Sequence, residues 1–145
     1  MTTKLHILTD GNGNPLGFHL TGGQVHESTV LDAVMMTANN LGDESLPVAC
    51  PVAVGGDKGY RAEWIDTYLL NLGITPVIPS KANEDRDARQ VDFDRELYRQ
   101  RNIVERVIGW LKEFRRVFSR YEKTAKNFGG MIRLAFIQRY MRGLF

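Results

Sequence analysis

The sequence predicts a mixed α/β fold, and two observations carry that expectation. Short apolar or alternating runs, punctuated by glycine, proline and aspartate, recur through residues 1–79, whereas residues 94–141 hold long stretches of helical periodicity. Read in order, the elements are strand, strand, helix, strand, helix, strand, long helix and helix, a layout in which helices cover a sheet.

Each element has its own signal. Lys4–Thr9 alternates as a strand, and Asp10-Gly11-Asn12-Gly13-Asn14-Pro15 is a dense turn signal. Leu16–Thr21 then reads as the returning strand of a hairpin. Gly22 and Gly23 break the pattern, and Glu27 to about Asn39 is expected to be helical, with Val30, Leu31, Val34 and Met35 at helical spacing. Pro51-Val52-Ala53-Val54 has no polar member and predicts a strand buried on both faces, as central parallel strands are. Ala62–Leu72 predicts a helix closed by Gly73. Ile74–Pro79 is a short strand whose prolines place it at an edge or a strand end. Ser80–Arg89 is polar and charged and is expected to be a mobile loop. The longest helical pattern runs from about Asp94 to Phe118, and a final helix from about Asn127 to Met141.

Composition narrows the function classes. With 43% hydrophobic and 25% charged residues among 145, the chain can bury one modest core and is not a wholly disordered polymer. Cys50 is the single cysteine, so no intrachain disulfide can form and a reducing compartment fits. Met1-Thr2-Thr3-Lys4 leads straight into the first strand pattern, so no signal peptide is expected, and no apolar run approaches the ~20 residues of a membrane span. A soluble cytoplasmic protein with no membrane partner is the expectation.

The net charge of +2 conceals an asymmetry. Residues 1–97 hold 7 Lys/Arg and 14 Asp/Glu, whereas residues 98–145 hold 12 Lys/Arg and 3 Asp/Glu. A segment that basic is either a phosphate-binding surface or a solvated helix face, and charge alone does not separate the two.

The long helix carries the chemistry. With Tyr98 at zero on a wheel of about 100° per residue, Arg101, Glu105 and Lys112 fall at about −60°, −20° and −40°. Ile103, Val104, Val107, Trp110, Leu111, Phe114 and Phe118 cluster opposite and are expected in the core. The polar stripe has a plain reading as an ordinary helix face with an Arg101–Glu105 pair. Its chemical reading is a carboxylate able to ligate a divalent cation, flanked by cations able to hold phosphates.

The spacing Tyr98, Arg101, Glu105, Lys112 resembles the YREK signature of DDE-type insertion-sequence transposases, those of the insertion sequence four and five groups. The blocks Leu97–Arg106, Leu111–Arg116, Arg120–Lys123 and Asn127-Phe128 are similar to the family's. So are Asp57-Lys58-Gly59-Tyr60, Leu8–Leu16 and Thr21–His26, so that the likeness spans nearly the whole chain.

The resemblance implies a ribonuclease H-like mixed sheet flanked by helices, lacking its first strand here. It implies that Asp57 and Glu105 are the second and third carboxylates of the catalytic triad and its metal ligands. Mg²⁺, with Mn²⁺ as an alternative, would serve two-metal cleavage and strand transfer at insertion-sequence ends. Tyr98, Arg101, Lys112, Arg115, Arg116, Arg120 and Lys123 would contact double-stranded DNA at transposon ends and target. By the same resemblance, residues 1–145 are the C-terminal portion of a catalytic domain, with a basic helical region from about 98 to 145. A homodimer, or association with a full-length transposase near the nucleoid, is implied as well. The residues themselves leave room for Asp57 as a turn aspartate, for His6 and His19 as packing or surface residues, and for Trp110, Tyr121 and Phe128 as packing residues. His26 has no ligand spacing to support a metal role.

The chain departs from the family at the first catalytic Asp, which belongs on a strand upstream of the opening hairpin; Asp10 falls in the hairpin turn and does not match. The chain is therefore expected to be inactive alone. It reads either as the downstream frame of a split transposase or as a catalytically inert DNA-binding remnant, which could inhibit transposition.

Overall fold

The computed structural model describes residues 2–39, 50–119 and 122–143. The chain opens with a hairpin of β1 (Thr3–Thr9) and β2 (Pro15–Gly22), antiparallel and in a register that pairs Leu5 with Leu20 and Ile7 with Phe18. The turn is built by Asp10. Its Oδ1 accepts from the backbone N–H of Asn12 at 2.9 Å and of Asn14 at 2.8 Å, and its Oδ2 accepts from the Asn14 side chain at 2.8 Å. Burial works against the charge on Asp10, but these donors outweigh it and hold the carboxyl below its ordinary range. Gly13 completes the turn at φ +83, with Ile103 Cγ2 only 3.3 Å from where a Cβ would stand.

A 3-10 turn at Glu27–Thr29 leads into α1 (Leu31–Asn39), which packs on the hairpin. β3 (Ala53–Gly55) then pairs in parallel with β4 (Thr75–Val77), the crossover running through α2 (Glu63–Asn71). Gly73 at φ +72 ends α2 as expected. Ile65 and Leu69 of α2 join Leu31, Val54, Ile74 and Ile78 in one core cluster.

β3 corrects an expectation. Val54 is buried, but Val52 is 85% exposed and Gly55 is exposed, so this is not a strand buried on both faces. An apolar run of four residues is too short to distinguish a covered strand from the exposed start of one.

The long helix is also corrected: it is three helices, α3 (Arg95–Arg99), α4 (Asn102–Lys112) and α5 (Arg115–Phe118). Asp94 caps α3 by accepting from the N–H groups of Glu96 and Leu97. Tighter i to i+3 bonds, Arg101 N to Tyr98 O and Val104 N to Arg101 O, join α3 to α4. Phe114 leaves helical geometry at ψ 101 and restarts the helix as α5. The restart shifts the buried face by one residue: Val117 is 7% exposed, whereas Phe118, expected in the core, is 66% exposed.

α6 (Ala125–Arg142) starts at Thr124, whose side chain accepts from Asn127 N at 3.2 Å. Phe128, Ile132, Ala135 and Phe136 of α6 bury against Leu111 and Val117 in a second cluster, which Leu5, Ile7, Phe18 and Leu20 of the hairpin flank. Trp110 packs against this cluster as expected, with Arg139 4.8 Å over its ring.

The polar loop after β4 is anchored rather than loose. Arg89, with 4% of its side chain exposed, donates to both oxygens of Asp66 at 2.8 and 2.9 Å and to Ile78 O at 2.7 Å. Arg61 grips Glu84 with its guanidinium, while its Nη1 stands 3.1 Å from Asp66 Oδ2 but off the direction of a hydrogen bond. The Arg61 bond pulls Glu84 below the ordinary carboxylate range.

The described strands form two two-stranded sheets, one antiparallel and one parallel, rather than one continuous sheet. A cavity of about 320 Å³ lies between them, lined by the consecutive residues Lys4–Leu8 and Val54–Asp57. Side chains alternate faces along a strand, so an unbroken run of residues lines a space through the strand's edge. The edges of β1 and β3 thus bound this cleft, and neither has a strand partner there among the described residues.

Candidate functional site

Asp57 stands just past the end of β3, where ligand sites of open α/β sheets gather. It caps a 3-10 turn at Lys58–Tyr60: its Oδ1 accepts from Gly59 N at 2.8 Å, and its carbonyl accepts from Tyr60 N at 3.1 Å. The carboxylate itself is exposed.

Glu105 projects from the first turn of α4 with its side chain 61% exposed. Its Oε1 receives Arg101 Nη2 at 2.8 Å, and the Arg101 guanidinium lies 5.1 Å over the Tyr98 ring. The stripe read off the sequence therefore holds for Tyr98, Arg101 and Glu105, even though two helices and a 3-10 turn carry it. Tyr98 also packs against Phe93 at 5.1 Å.

Asp57, Arg101 and Glu105 line the same cleft between β1 and β3. The structure thus brings the two sequence-selected carboxylates together from a loop and a helix far apart in the chain. Val104 and Ile108 of α4 line it too, as do Leu31 and Val34 from α1. Lys112, Arg115, Arg116 and Lys123 are exposed but are not among its lining residues. Arg116 approaches Glu122 at 4.0 Å. Arg120, selected with them, lies outside the described residues, as does Tyr121.

Sequence reasoning missed part of the cleft. Glu27 lines it, held by Lys4 Nζ at 2.7 Å, and that bond keeps its carboxyl below the ordinary range. A Cβ on Gly59 would stand 3.0 Å from Asp57 Oδ1 and 3.1 Å from Glu27 Oε2, so glycine leaves room for two neighbouring carboxylates. His6 is 4% exposed, with Nδ1 2.7 Å from the Tyr60 hydroxyl and Nε2 2.9 Å from Thr21 Oγ1. Burial lowers the His6 pKa. Burial, with the charges of Asp57 and Glu27, pushes Tyr60 up to about 12. No local pattern announces these contacts, because each partner comes from a different element. His26 is 64% exposed, 3.9 Å from Glu27 Oε2.

The donor chemistry of Asp57 and Glu105 fits a hard divalent cation. Both offer carboxylate oxygen, and Mg²⁺ commonly binds through one or two carboxylates while keeping several waters. Glu105 would exchange its bond to Arg101 for the ion. Among the described residues, no group of three or more His, Cys, Asp or Glu is gathered to hold a metal by itself. Nor is any helix among them long and apolar enough to cross a membrane.

Comparison with known proteins gives a family. Residues 1–138 match the family model described as the transposase DDE domain. The chain is 34% identical over 136 residues to a Burkholderia cepacia protein named as a transposase for insertion sequence element IS402; the match covers 91% of this chain and 59% of that protein. It is 29% identical over 143 residues to a Brucella ovis protein named as a transposase for insertion sequence element IS6501, covering 98% of this chain and all of the relative. The chain thus spans little more than half of the first relative and the full length of the second. No solved structure gives a match.

Proposed function

The chain belongs to the insertion-sequence transposases with a DDE domain, and on that premise we propose that it is the C-terminal portion of a catalytic domain that cleaves and joins DNA. The observation that carries the proposal is the convergence of Asp57 and Glu105 on one cleft. The reaction is metal-assisted phosphoryl transfer at insertion-sequence ends. Bound Mg²⁺, or Mn²⁺ in its place, supplies Lewis-acid stabilisation to the phosphodiester oxygens.

The chain's own residues bind and orient. Asp57, fixed by Gly59 N, presents its carboxylate to the cleft as one ligand, and Glu105 presents the other from α4. Arg101, on leaving Glu105, is placed to neutralise a phosphate beside the cleft. Tyr98 orients Arg101 through its ring face. Lys112, Arg115, Arg116 and Lys123, with Arg120, hold duplex phosphates further along and so set position rather than read sequence.

The fold proposed is ribonuclease H-like, with the two small sheets as halves of one mixed sheet. The facing edges of β1 and β3 support this reading, since a strand between them would pair with both. We assign that strand, with the first catalytic Asp, to the complementary segment of a longer transposase. The basic helical region from about 98 to 145 then lies along the DNA.

The test supplies the complementary transposase segment together with this chain and an insertion-sequence end. Glu105→Gln is expected to abolish Mg²⁺-dependent cleavage while leaving DNA affinity in place, and Lys112→Ala to reduce the slope of log affinity against log salt by about 1. Unchanged cleavage by Glu105→Gln overturns the carboxylate assignment. DNA binding without cleavage in any combination makes the chain an inert DNA-binding remnant.

A further inference from the structure

We infer that His6 and Tyr60 are positioning residues for Asp57, an inference that rests on the metal-ligand role proposed for that carboxylate. Asp57 is exposed and sits at the start of a three-residue 3-10 turn, a short element with little stability of its own. Within that turn its bonds are local, to Gly59 N and Tyr60 N. Local bonds fix the shape of the turn but not its place over the cleft.

Tyr60 supplies the place. It ends the turn that Asp57 begins, and its hydroxyl lies 2.7 Å from His6 Nδ1, with the two rings edge to face at 6.1 Å. His6 sits in the middle of β1, and its other nitrogen is 2.9 Å from Thr21 Oγ1 on β2. One chain of hydrogen bonds thus runs from β2 through β1 to the turn carrying Asp57, crossing from one sheet to the other. Both ring nitrogens of this buried histidine are occupied. An apolar pair could fill the same volume, but it would not fix a direction. A satisfied buried network does, since leaving any member unpaired costs the full desolvation of that group. The cleft needs such a tie because β1 and β3 share no ladder bonds.

The direction of the effect separates positioning from mere stability. Tyr60→Phe keeps the ring and removes the hydroxyl. His6→Asn keeps a polar group near the Nδ1 position and loses Nε2, whereas His6→Gln does the reverse. Thr21→Val unpairs Nε2 on the side away from Asp57. All four disturb the same buried network, but only Tyr60→Phe and His6→Gln cut the link to the turn.

The experiment measures Mn²⁺ binding to the full chain by the electron paramagnetic resonance signal of the free ion, with thermal unfolding of each variant alongside. Tyr60→Phe and His6→Gln are expected to weaken Mn²⁺ binding by about tenfold or more, as loss of the groups that orient a metal ligand commonly does. His6→Asn and Thr21→Val are expected to lower the unfolding midpoint while leaving Mn²⁺ affinity close to that of the unaltered chain. Asp57→Asn is the reference and is expected to abolish the site. If Asp57→Asn leaves Mn²⁺ binding intact, the metal-ligand role itself fails. If Asp57→Asn abolishes binding but Tyr60→Phe and His6→Gln bind as the unaltered chain does, the positioning inference is overturned. Should Tyr60→Phe not fold, His6→Gln against His6→Asn decides the matter.

Discussion

Arg101 Nη2 lies 2.8 Å from Glu105 Oε1, one turn apart on the helix, with both side chains facing the cleft that Asp57 also lines. The pair is poised rather than locked. At 34% and 61% side-chain exposure, water screens the attraction, and such pairs contribute at most about 1 kcal/mol. Arg101→Ala is therefore expected to change unfolding free energy by less than about 1 kcal/mol, while DNA affinity in a fluorescence anisotropy titration falls. Large destabilisation with unchanged DNA affinity would make Arg101 a structural residue.

The Arg61–Asp66–Arg89–Glu84 group is the opposite case. Asp66 sits between two guanidinium groups whose side chains are 6% and 4% exposed. Removing its charge leaves two buried cations short of a partner. Asp66→Asn is expected to cost about 3–5 kcal/mol in urea unfolding. Glu63→Gln, on the exposed side of the same helix, should stay within about 0.5 kcal/mol.

The break at Phe114 makes a paired prediction. Leu111, 2% exposed, should cost about 2–5 kcal/mol when replaced by alanine. Phe118→Ala should stay within about 0.5 kcal/mol, because the ring is mostly in water. A continuous helix through residue 118 would make both costly, so equal losses in chemical denaturation would contradict the described break.

His6 gives the pH dependence. Its folded pKa is lowered from the ordinary 6.5, first by burial. On acidification the unfolded chain therefore takes up the proton before the folded chain does. The stability due to neutral His6 is complete above pH 6.5 and declines as pH falls from there towards the folded pKa. Glu27 and Glu84, both lowered, lose their contribution in a more acidic window, below the ordinary 4.5 of a glutamate. Thermal unfolding between pH 7 and 5 should show the first decline, and His6→Asn should flatten it. An unchanged slope in that variant would assign the effect elsewhere.

Elements with a local cause were legible in the sequence. The Asp10–Pro15 turn and the Gly73 stop both depend on residues within a few positions of the event, whereas the last helix, expected from about Asn127, starts two residues earlier at Ala125 behind the Thr124 cap. The carboxylates were implied by the resemblance of the Tyr98, Arg101, Glu105 and Lys112 spacing and of the Asp57 block to the transposase family, and both line one cleft. Phe118 was misplaced because a helical wheel assumes unbroken rotation, and one extended residue at Phe114 resets it. His6, Glu27 and the Arg89 anchor were not legible, because each acts on a partner from another element. A charged loop such as 80–89 looks the same in sequence whether or not buried arginines hold it.

Iron-directed backbone cleavage tests the central claim, that Asp57 and Glu105 share one cation, most directly. With Fe²⁺ replacing Mg²⁺ in the full chain, ascorbate and peroxide generate hydroxyl radicals at the bound ion. Cuts are expected near residue 57 and near residue 105 together, with both sets suppressed by excess Mg²⁺ and both lost in either Asp57→Asn or Glu105→Gln. Cuts at one segment alone, or cuts at one that survive loss of the other carboxylate, would contradict a shared ion.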